Sequence, residues 1–398
     1  MHYATSMRYE MQTLLGAAIL VAASGFAGAQ PPLRDLPKPA VELSDPFSSV
    51  SAAAELRPGV LVVFDAADGE LSVVDVVRGR RSPLGRQGSG PGEYRTPAGI
   101  FTIHGDTLWV LDAAQMRIVV FGPDLKPGST FPFMMFDTQT GTALTSPIFA
   151  DRSGNLYASA MPIEVARGGA NTAMKFPDSV SVVRVDPRNP SAKATLARVR
   201  FPTSGQPRME QSGTSLKYTF AYPGLVAADP WAVFPDGRVA IVRGANYTVE
   251  FIAPDGKHAP AVRVPYEPFS VTEADRKAEM EEARKRLAEQ TKQVQRMLPP
   301  NVSMTFDMIP PASWPDKYPP VAPMGAMAAP DGRLWVKRSV PARIGREMWD
   351  VIGPDGRLVA RWRLPPKTSL VALGRDAIYA VRTDEDDLRY IQRIVLPR

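Results

Sequence analysis

Residues 85–121 constrain the fold more than any other stretch of the chain. They read GRQGSGPGEYRTPAGIFTIHGDTLWVLDAAQMRIVVF. A glycine-rich loop leads into an apolar segment at Pro97, a turn follows at Gly105-Asp106, and two further apolar segments cover residues 107–111 and 117–121. Glycine and aspartate supply the positive φ that tight turns between antiparallel strands need. The stretch therefore predicts three short antiparallel strands joined by tight turns.

Comparable first-turn signals recur along the chain. We place them at residues 58–59, 105–106, 153–154, 236–237, 331–332 and 375–376. A short apolar strand follows each one, and a second turn signal follows within most units. Two turns per unit at blade-length spacing are typical of four-stranded propeller blades. The fold class that we predict is all-β, a six-bladed β-propeller.

The same stretch resembles the NHL-repeat family, and most closely the bacterial exported six-bladed β-propeller proteins related to it. The resemblance is carried by G-x-x-G-x-G-x-G-E-[FY]-x-x-P-x-G-I and then by L-W-V-x-D-x-x-x-x-R-I-x-V-F. Gly85, Glu93, Tyr94, Asp112 and Arg117 are among the matching residues. Gln115 departs from the pattern, since the family often has Asn there. The resemblance implies the fold and leaves the activity open, because such propellers include enzymes and binding modules.

The last blade is one strand short at the C-terminus, so its outer strand must come from elsewhere. Residues 41–47 alternate apolar and polar positions at their start and are the free candidate. We predict that this N-terminal strand closes the last blade, within a propeller that spans residues 41–398, because closure removes open sheet edges. The preceding proline-rich lead-in, residues 30–40, is expected to be extended, and removal of residues 30–38 is expected to have little effect.

Two long intervals between first turns predict insertions at about residues 203–224 and 266–322. We expect the first to be polar and irregular. The second contains a predicted α-helix over about residues 272–298, with Ser270 and Glu273 at the spacing of a capping box. Acidic residues near its start and basic residues near its end suit the helix dipole. Its narrow apolar stripe predicts a solvated helix against the rim of the propeller rather than a partner-binding helix.

Residues 1–29 have the features of a signal peptide. Arg8 lies in the n-region, residues 14–23 form a short apolar run, and Ala27-Gly28-Ala29 precedes Gln30 as a cleavage site. We therefore predict export to the periplasm or the extracellular space. The apolar run is too short to span a bilayer comfortably, and no other segment qualifies.

The composition excludes several kinds of function. The chain has no cysteine, which excludes disulfides, thiolate metal sites and a cysteine nucleophile. Its three histidines cannot form a multi-histidine metal site once the leader is removed. The net charge is +6, but the basic residues are scattered without a run, so we predict no nucleic-acid partner. We predict no cofactor, with an oxygen-bound Ca²⁺ as the alternative, and we expect a monomer.

No catalytic motif is found in the sequence. The glycines of residues 85–92 precede a strand and lack the P-loop lysine, so a turn is favoured over a phosphate cradle. Asp112 and Arg117 are expected to brace the blades, as the resemblance implies, and His104 to be a turn residue rather than a base. Residues 384–387 are four adjacent acids, which could bind a cation but are more often only solvated.

Propellers bind ligands at the mouth of the central channel. We use the name mouth face for the side formed by the segments leading into each first strand and by the loops joining second and third strands. Our candidate ligand-binding residues on it are Arg95, Gln115, Arg243, Asn246, Lys337 and Arg338. This cationic set favours a small anionic or carbohydrate-like ligand, or an envelope protein. The function that we predict is an exported binding module, and the alternative is a channel-centred, metal-dependent hydrolase or lyase of the lactonase kind.

Overall fold

The computed structural model of the protein describes residues 30–137, 141–162, 164–165, 174–175, 177–202, 208–297 and 301–397. The predicted leader, residues 1–29, lies outside the described residues. Strands dominate the described part, and most of them belong to sheets in which each strand is antiparallel to the next along the chain.

Six sheets of four or five strands follow one another in the described residues, and we number them in chain order. Sheet one consists of Ala52–Arg57, Val60–Asp65, Glu70–Asp75 and Arg80–Pro83. Sheet two consists of Pro97–Thr102, Leu108–Asp112, Arg117–Phe121 and Pro127–Pro132. Sheet three consists of Thr142–Ala150, Leu156–Pro162, Ser179–Asp186 and Asn189–Arg200, with Phe136–Asp137 beside its first strand.

The second half of the chain repeats the arrangement. Sheet four consists of Trp231–Val233, Val239–Arg243, Thr248–Ile252 and Val262–Arg263. Sheet five contains Val321–Ala328, Leu334–Arg338, Met348–Ile352 and Leu358–Arg363. Sheet six contains Thr368–Leu373, Ile378–Thr383 and Arg389–Ile394. Two-residue pairs join Arg86–Gln87 to Glu93–Tyr94 and Glu164–Val165 to Met174–Lys175, and 3₁₀ turns cover His104–Asp106 and Ala342–Ile344.

All six predicted first turns are confirmed, since each lies between the first and second strands of its sheet. The aromatic residue in a second strand often packs under the first turn of the next sheet. Gly154 has a φ of +86°, and a Cβ there would lie 2.8 Å from the Trp109 ring. Similarly, the Tyr379 hydroxyl accepts a hydrogen bond of 3.0 Å from the main-chain N–H of Gly59. These contacts couple the turns to the packing of neighbouring sheets.

The hydrophobic core is divided among the interfaces between successive sheets. Six buried clusters are found in the described residues, and each draws its side chains chiefly from two neighbouring sheets. Five of them join sheets one to two, two to three, three to four, four to five and five to six. The sixth joins sheet six to sheet one and includes Tyr379, Leu61 and Val63. Each sheet therefore packs on the sheet before it and the sheet after it.

The pairing predicted for the N-terminal strand is confirmed. Val41–Glu42 is antiparallel to Arg389–Ile394, the last strand of sheet six. The main chains of Phe47 and Arg389 exchange two further hydrogen bonds. Leu43 and Phe47 are each 1% exposed and lie in the cluster between sheets six and one. The N-terminal segment thus pairs with the edge strand of sheet six and also buries two side chains between sheets six and one.

The proline-rich lead-in, residues 30–40, packs against the propeller, which the sequence did not indicate. Leu33–Asp35 forms a parallel fifth strand beside Leu358–Arg363 of sheet five. Leu36 is buried in the cluster between sheets five and six, and the Asp35 carboxylate receives two hydrogen bonds from Arg363. The prediction that its removal has little effect therefore needs correction, because apolar surface would be uncovered.

Residues 203–207 of the first insertion lie outside the described residues, and for the described remainder the expectation that the insertion is irregular was wrong. Arg208–Ser212 and Ser215–Ala221 form a hairpin, and its second strand pairs in parallel with Ser303–Ile309 from the second insertion. Alternate residues on these strands are polar and apolar, so the sheet is amphipathic. The two insertions therefore form one accessory sheet.

The predicted helix is present as Glu273–Met297. Its capping box is formed by Thr272 and Asp275 rather than by Ser270 and Glu273: the Asp275 N–H donates to the Thr272 hydroxyl, and the Asp275 carboxylate accepts from the Thr272 N–H. Met280, Ala283 and Leu287 are buried, as the apolar stripe predicted. The helix packs against the inserted strand Ser303–Ile309 and the Ala342–Ile344 turn. Burial raises the pKa of Glu279, which accepts a hydrogen bond from Tyr222.

Candidate functional site

The structure places all six candidate residues at one end of the sheets, where second strands finish and first strands begin. No hydrogen bond or ion pair joins any two of these six described residues. Arg95 and Asn246 are exposed. The Asn246 side-chain oxygen accepts a hydrogen bond of 3.1 Å from the Thr248 hydroxyl. Their role in ligand binding stays a prediction.

The other four candidates are held by partners within the chain. Gln115 donates to Asp112 and to the Gly88 carbonyl, and Lys337 pairs with Glu347. Arg243 bridges Asp229 and Glu250. Arg338 is only 4% exposed and donates to the Pro320 and Glu267 carbonyls and to Asp350. All four side chains, three cations and the neutral Gln115, are committed to bracing loops and strands.

Two carboxylates at the mouth face, those of Asp65 and Asp112, also accept hydrogen bonds from within the chain. Asp65 ends the second strand of sheet one and accepts from the N–H groups of Ser48 and Ser49, at 2.9 and 3.0 Å. Burial alone would raise the pKa of Asp65, but hydrogen bonds from Ser49 and from the following turn outweigh it and hold the pKa below its ordinary value. Asp112 plays the same part in sheet two, where it accepts from the N–H groups of Arg95 and Thr96 at 3.0 Å each. Both carboxylates fix the path into the first strand.

The glycine-rich loop is a compact turn tied down by its own residues. The Glu93 carboxylate accepts from the Gly90 N–H at 2.7 Å and from Arg86 at 2.6 Å. The Arg117 guanidinium donates to the carbonyls of Ser89, Gly90 and Glu93. Arg117 thus braces the loop that leads into its own sheet, and a role in bracing one blade against the next stays a prediction.

The two remaining titratable features were His104 and the acidic loop. His104 lies in the 3₁₀ turn between the first and second strands of sheet two, and its N–H donates to the Arg152 carbonyl, so the turn interpretation is confirmed. In the acidic loop, the Asp384 carboxylate accepts from the N–H groups of Asp386 and Leu388. Within the described part of the chain, no three His, Asp or Glu side chains are grouped so that they could hold a metal ion.

A pocket of about 180 Å³ opens at the mouth face among sheets three, four and five. The first strands of all three sheets line it, through Phe149, Trp231 and Met324. The rings of Phe149 and Trp231 meet edge to face at 5.0 Å. Met324 is 64% exposed, the largest exposed fraction among the exposed apolar residues identified in the structure. The pocket is therefore apolar, aromatic and open to solvent.

Interruptions in two first strands accompany the pocket. In sheet five the pairing jumps from Val321 to Ala326, and Lys337 alone lies opposite the four skipped residues. Pro323 has no N–H to pair, and a Cβ on Gly325 would lie 2.8 Å from the Lys337 Cβ. In sheet three the pairing jumps from Thr145 to Phe149. Bulges of this kind are over-represented at rims and beside active sites.

The polar wall of the pocket is fixed by Asp229. Its carboxylate accepts from the N–H groups of Arg200 and Gly244, at 3.0 Å each, and from the Arg243 guanidinium at 3.1 Å. Arg200 lines the pocket and is exposed, and its side chain has no hydrogen bond or ion pair with any described residue. Arg243 is thus a supporting residue behind the pocket.

Sequence reasoning missed Phe149, Arg200, Trp231 and Met324. The one usable signal was the Pro323-Met324-Gly325 sequence ahead of the fifth first turn, because proline and glycine inside a strand often mark a bulge. The pocket also lies at the bases of the insertions. Pro202 and Ala228 flank the first insertion, and Pro323 follows the second. Chain segments far apart in sequence are needed to form it.

Successive four-stranded antiparallel sheets, each packed between its neighbours, are the architecture of β-propellers, and the fold belongs to that class. No helix in the described part of the chain is long and apolar enough to cross a membrane.

The sequence matches no protein-family model and no curated protein. Among solved structures, the chain is similar to regucalcin, a calcium-binding protein from Agrobacterium tumefaciens strain C58, with 11% identity, a TM-score of 0.42, and coverage of 92% of this chain and 98% of the other. A DUF4221 family member from Bacteroides vulgatus ATCC 8482 gives 10% identity, a TM-score of 0.45 and coverage of 92% and 98%. The Cps50 (Swd1) β-propeller domain from Myceliophteria thermophila gives 8% identity, a TM-score of 0.39, and coverage of 88% of this chain and 99% of the other. With TM-scores below 0.5, these similarities carry no argument about function.

Proposed function

We propose that the protein is an exported, monomeric, six-bladed β-propeller of the NHL-like kind that binds a small ligand at its mouth face and does not catalyse a reaction. The blade count is supported by the six successive sheets and by the six clusters between them, the last of which joins sheet six to sheet one. The strand Val41–Glu42 supplies the outer edge of the sixth blade in this proposal.

The observation that carries the binding function is the pocket beside Met324. Phe149, Trp231 and Met324, which line it, lie on the first strands of three blades. In a propeller these are the innermost strands and border the central channel. Concave, mostly apolar sites with a few polar groups are the usual form of small-molecule sites. The interrupted pairing of two of these strands gives up main-chain hydrogen bonds at the place where the pocket opens.

The alternative function needs carboxylate or amide oxygens that are free to converge on an ion. Asp65, Asp112 and Asp229 each accept at least two main-chain hydrogen bonds, so their lone pairs are largely used. We therefore propose binding without a resident metal ion.

Binding can be tested with four probes of different chemistry: 3-phenylpropionate, glucose, glucuronate and inorganic phosphate. We expect at least one to bind the mature protein in ligand-observed NMR, unchanged by calcium or a chelator, and to be recovered intact. Met324→Trp should block binding by filling the pocket. Met134→Trp is the matched control, because Met134 is an exposed methionine like Met324 but does not line the pocket. Absence of binding by all four probes, a requirement for calcium, or conversion of a probe would contradict the proposal.

Export has its own test. If residues 1–29 are a leader, protein recovered from the periplasm or medium of an expressing bacterium should begin at Gln30. Intact-mass spectrometry measures this directly. A mature chain that still contains residues 14–23 would contradict export by cleavage.

A further inference from the structure

We propose that the pocket beside Met324 binds an aromatic carboxylate, with the ring among Phe149, Trp231 and Met324 and the carboxylate on Arg200. This inference rests on the proposed binding function and specifies the ligand of the same pocket.

The size and lining of the pocket determine the apolar part of the ligand. An apolar cavity of about 150 Å³ accepts benzene, and this pocket has about 180 Å³. The pocket therefore has room for one six-membered ring with a short side chain. Phe149 and Trp231 already meet edge to face, which leaves an aromatic wall suited to a third ring. Met324 can adapt at the opening because its thioether is flexible and packs well on rings.

The charge beside the pocket determines the polar part. Arg200 is the one lining cation, and its guanidinium is without a partner among the described residues. Asp229, the one acid among the described lining residues, is balanced by Arg243 and by two main-chain donors. A planar guanidinium matches a carboxylate through two parallel hydrogen bonds. A single cation suits a monoanion better than a phosphate dianion, so we assign the carboxylate.

A buried hydroxyl gives the site a second polar group. Ser159 lies on the second strand of sheet three, is 1% exposed and lines the pocket. Ser159 is paired with Thr145, the last residue before the interruption of the first strand. Since a hydroxyl both donates and accepts hydrogen bonds, Ser159 can form a hydrogen bond with a polar substituent on the ring. Rings with one small polar substituent therefore fit as well as unsubstituted ones.

The test compares 3-phenylpropionate with its neutral amide, 3-phenylpropanamide, by titration calorimetry on the mature protein. We expect Arg200→Gln to weaken binding of the acid by about tenfold or more, as loss of a charge-assisted hydrogen bond does, and to leave the amide unchanged. Arg198→Gln is the matched control, because Arg198 lies two residues away on the same strand, is exposed and does not line the pocket. Met324→Trp should weaken both compounds.

The outcomes separate this inference from the proposed function. If 3-phenylpropionate fails to bind while glucose, glucuronate or phosphate binds and Met324→Trp blocks it, the ligand class is wrong and the binding function stands. If Arg200→Gln weakens acid and amide equally, the carboxylate assignment is wrong. If no probe binds, both proposals fail.

Discussion

Deletion of residues 30–47 should abolish the cooperative unfolding transition of the mature protein. Most of the lost stability should come from residues 41–47. Leu43 and Phe47 are each 1% exposed within the cluster between sheets six and one. Truncation of such side chains to alanine costs about 2–5 kcal/mol for leucine and about 3–5 kcal/mol for phenylalanine. Together this approaches the whole free energy of unfolding of a typical domain, about 5–15 kcal/mol.

The double variant Leu43→Ala/Phe47→Ala tests the same point without removing the strand, by urea denaturation followed by circular dichroism. We expect its midpoint to fall far below that of the unaltered chain. The matched comparison is deletion of residues 30–38, which removes the parallel strand Leu33–Asp35 and the buried side chain of Leu36. That deletion should still leave a folded protein, with a loss of about 1.5–3 kcal/mol from Leu36. Equal midpoints for the double variant and the unaltered chain would show that the N-terminal segment does not hold sheets six and one together.

Turn chemistry is why much of the fold could be predicted from the sequence. The positive φ of Gly154 is a local requirement that glycine meets without strain, so the turn can be predicted from the residues beside it. The helix Glu273–Met297 was predictable for the same reason, because capping and charge pattern act within one element. The capping box was displaced by two residues, since Thr272 and Asp275 satisfy the same spacing as Ser270 and Glu273.

The candidate site was harder to predict because partners in space decide what a charged residue does. Arg243 and Arg338 looked available in the sequence, but the fold pairs them with Asp229 and Asp350, which are 14 and 12 residues away along the chain. The accessory sheet was missed because Ser215–Ala221 pairs with a strand that follows the helix. The pocket depends on side chains from three sheets, and no local spacing encodes their convergence.

Asp350→Ala should destabilise the protein by about 3–5 kcal/mol, the usual cost of leaving one partner of a buried ion pair alone. Asp350 is 1% exposed on the third strand of sheet five. It accepts a hydrogen bond of 2.7 Å from the Tyr247 hydroxyl of sheet four and lies 3.4 Å from both Arg338 and Arg361. Its loss would leave the Arg338 guanidinium, which is 4% exposed, with carbonyl partners and no counter-charge. Urea denaturation at neutral pH measures the effect.

The control for that variant is Asp355→Ala, in the turn that joins the third and fourth strands of the same sheet. Asp355 is 60% exposed, and its one partner in the described part of the chain is its neighbour Arg357, so its loss should cost under about 1 kcal/mol. Burial, and then the charge of Asp350, raise the pKa of Tyr247 well above its ordinary value, so the phenol remains a donor across the neutral range. In a Tyr247→Phe background, Asp350→Ala should therefore cost less than in the unaltered chain, because one of its contacts is already gone. Equal costs in the two backgrounds would mean that the hydrogen bond between sheets four and five adds nothing to the stability of their interface.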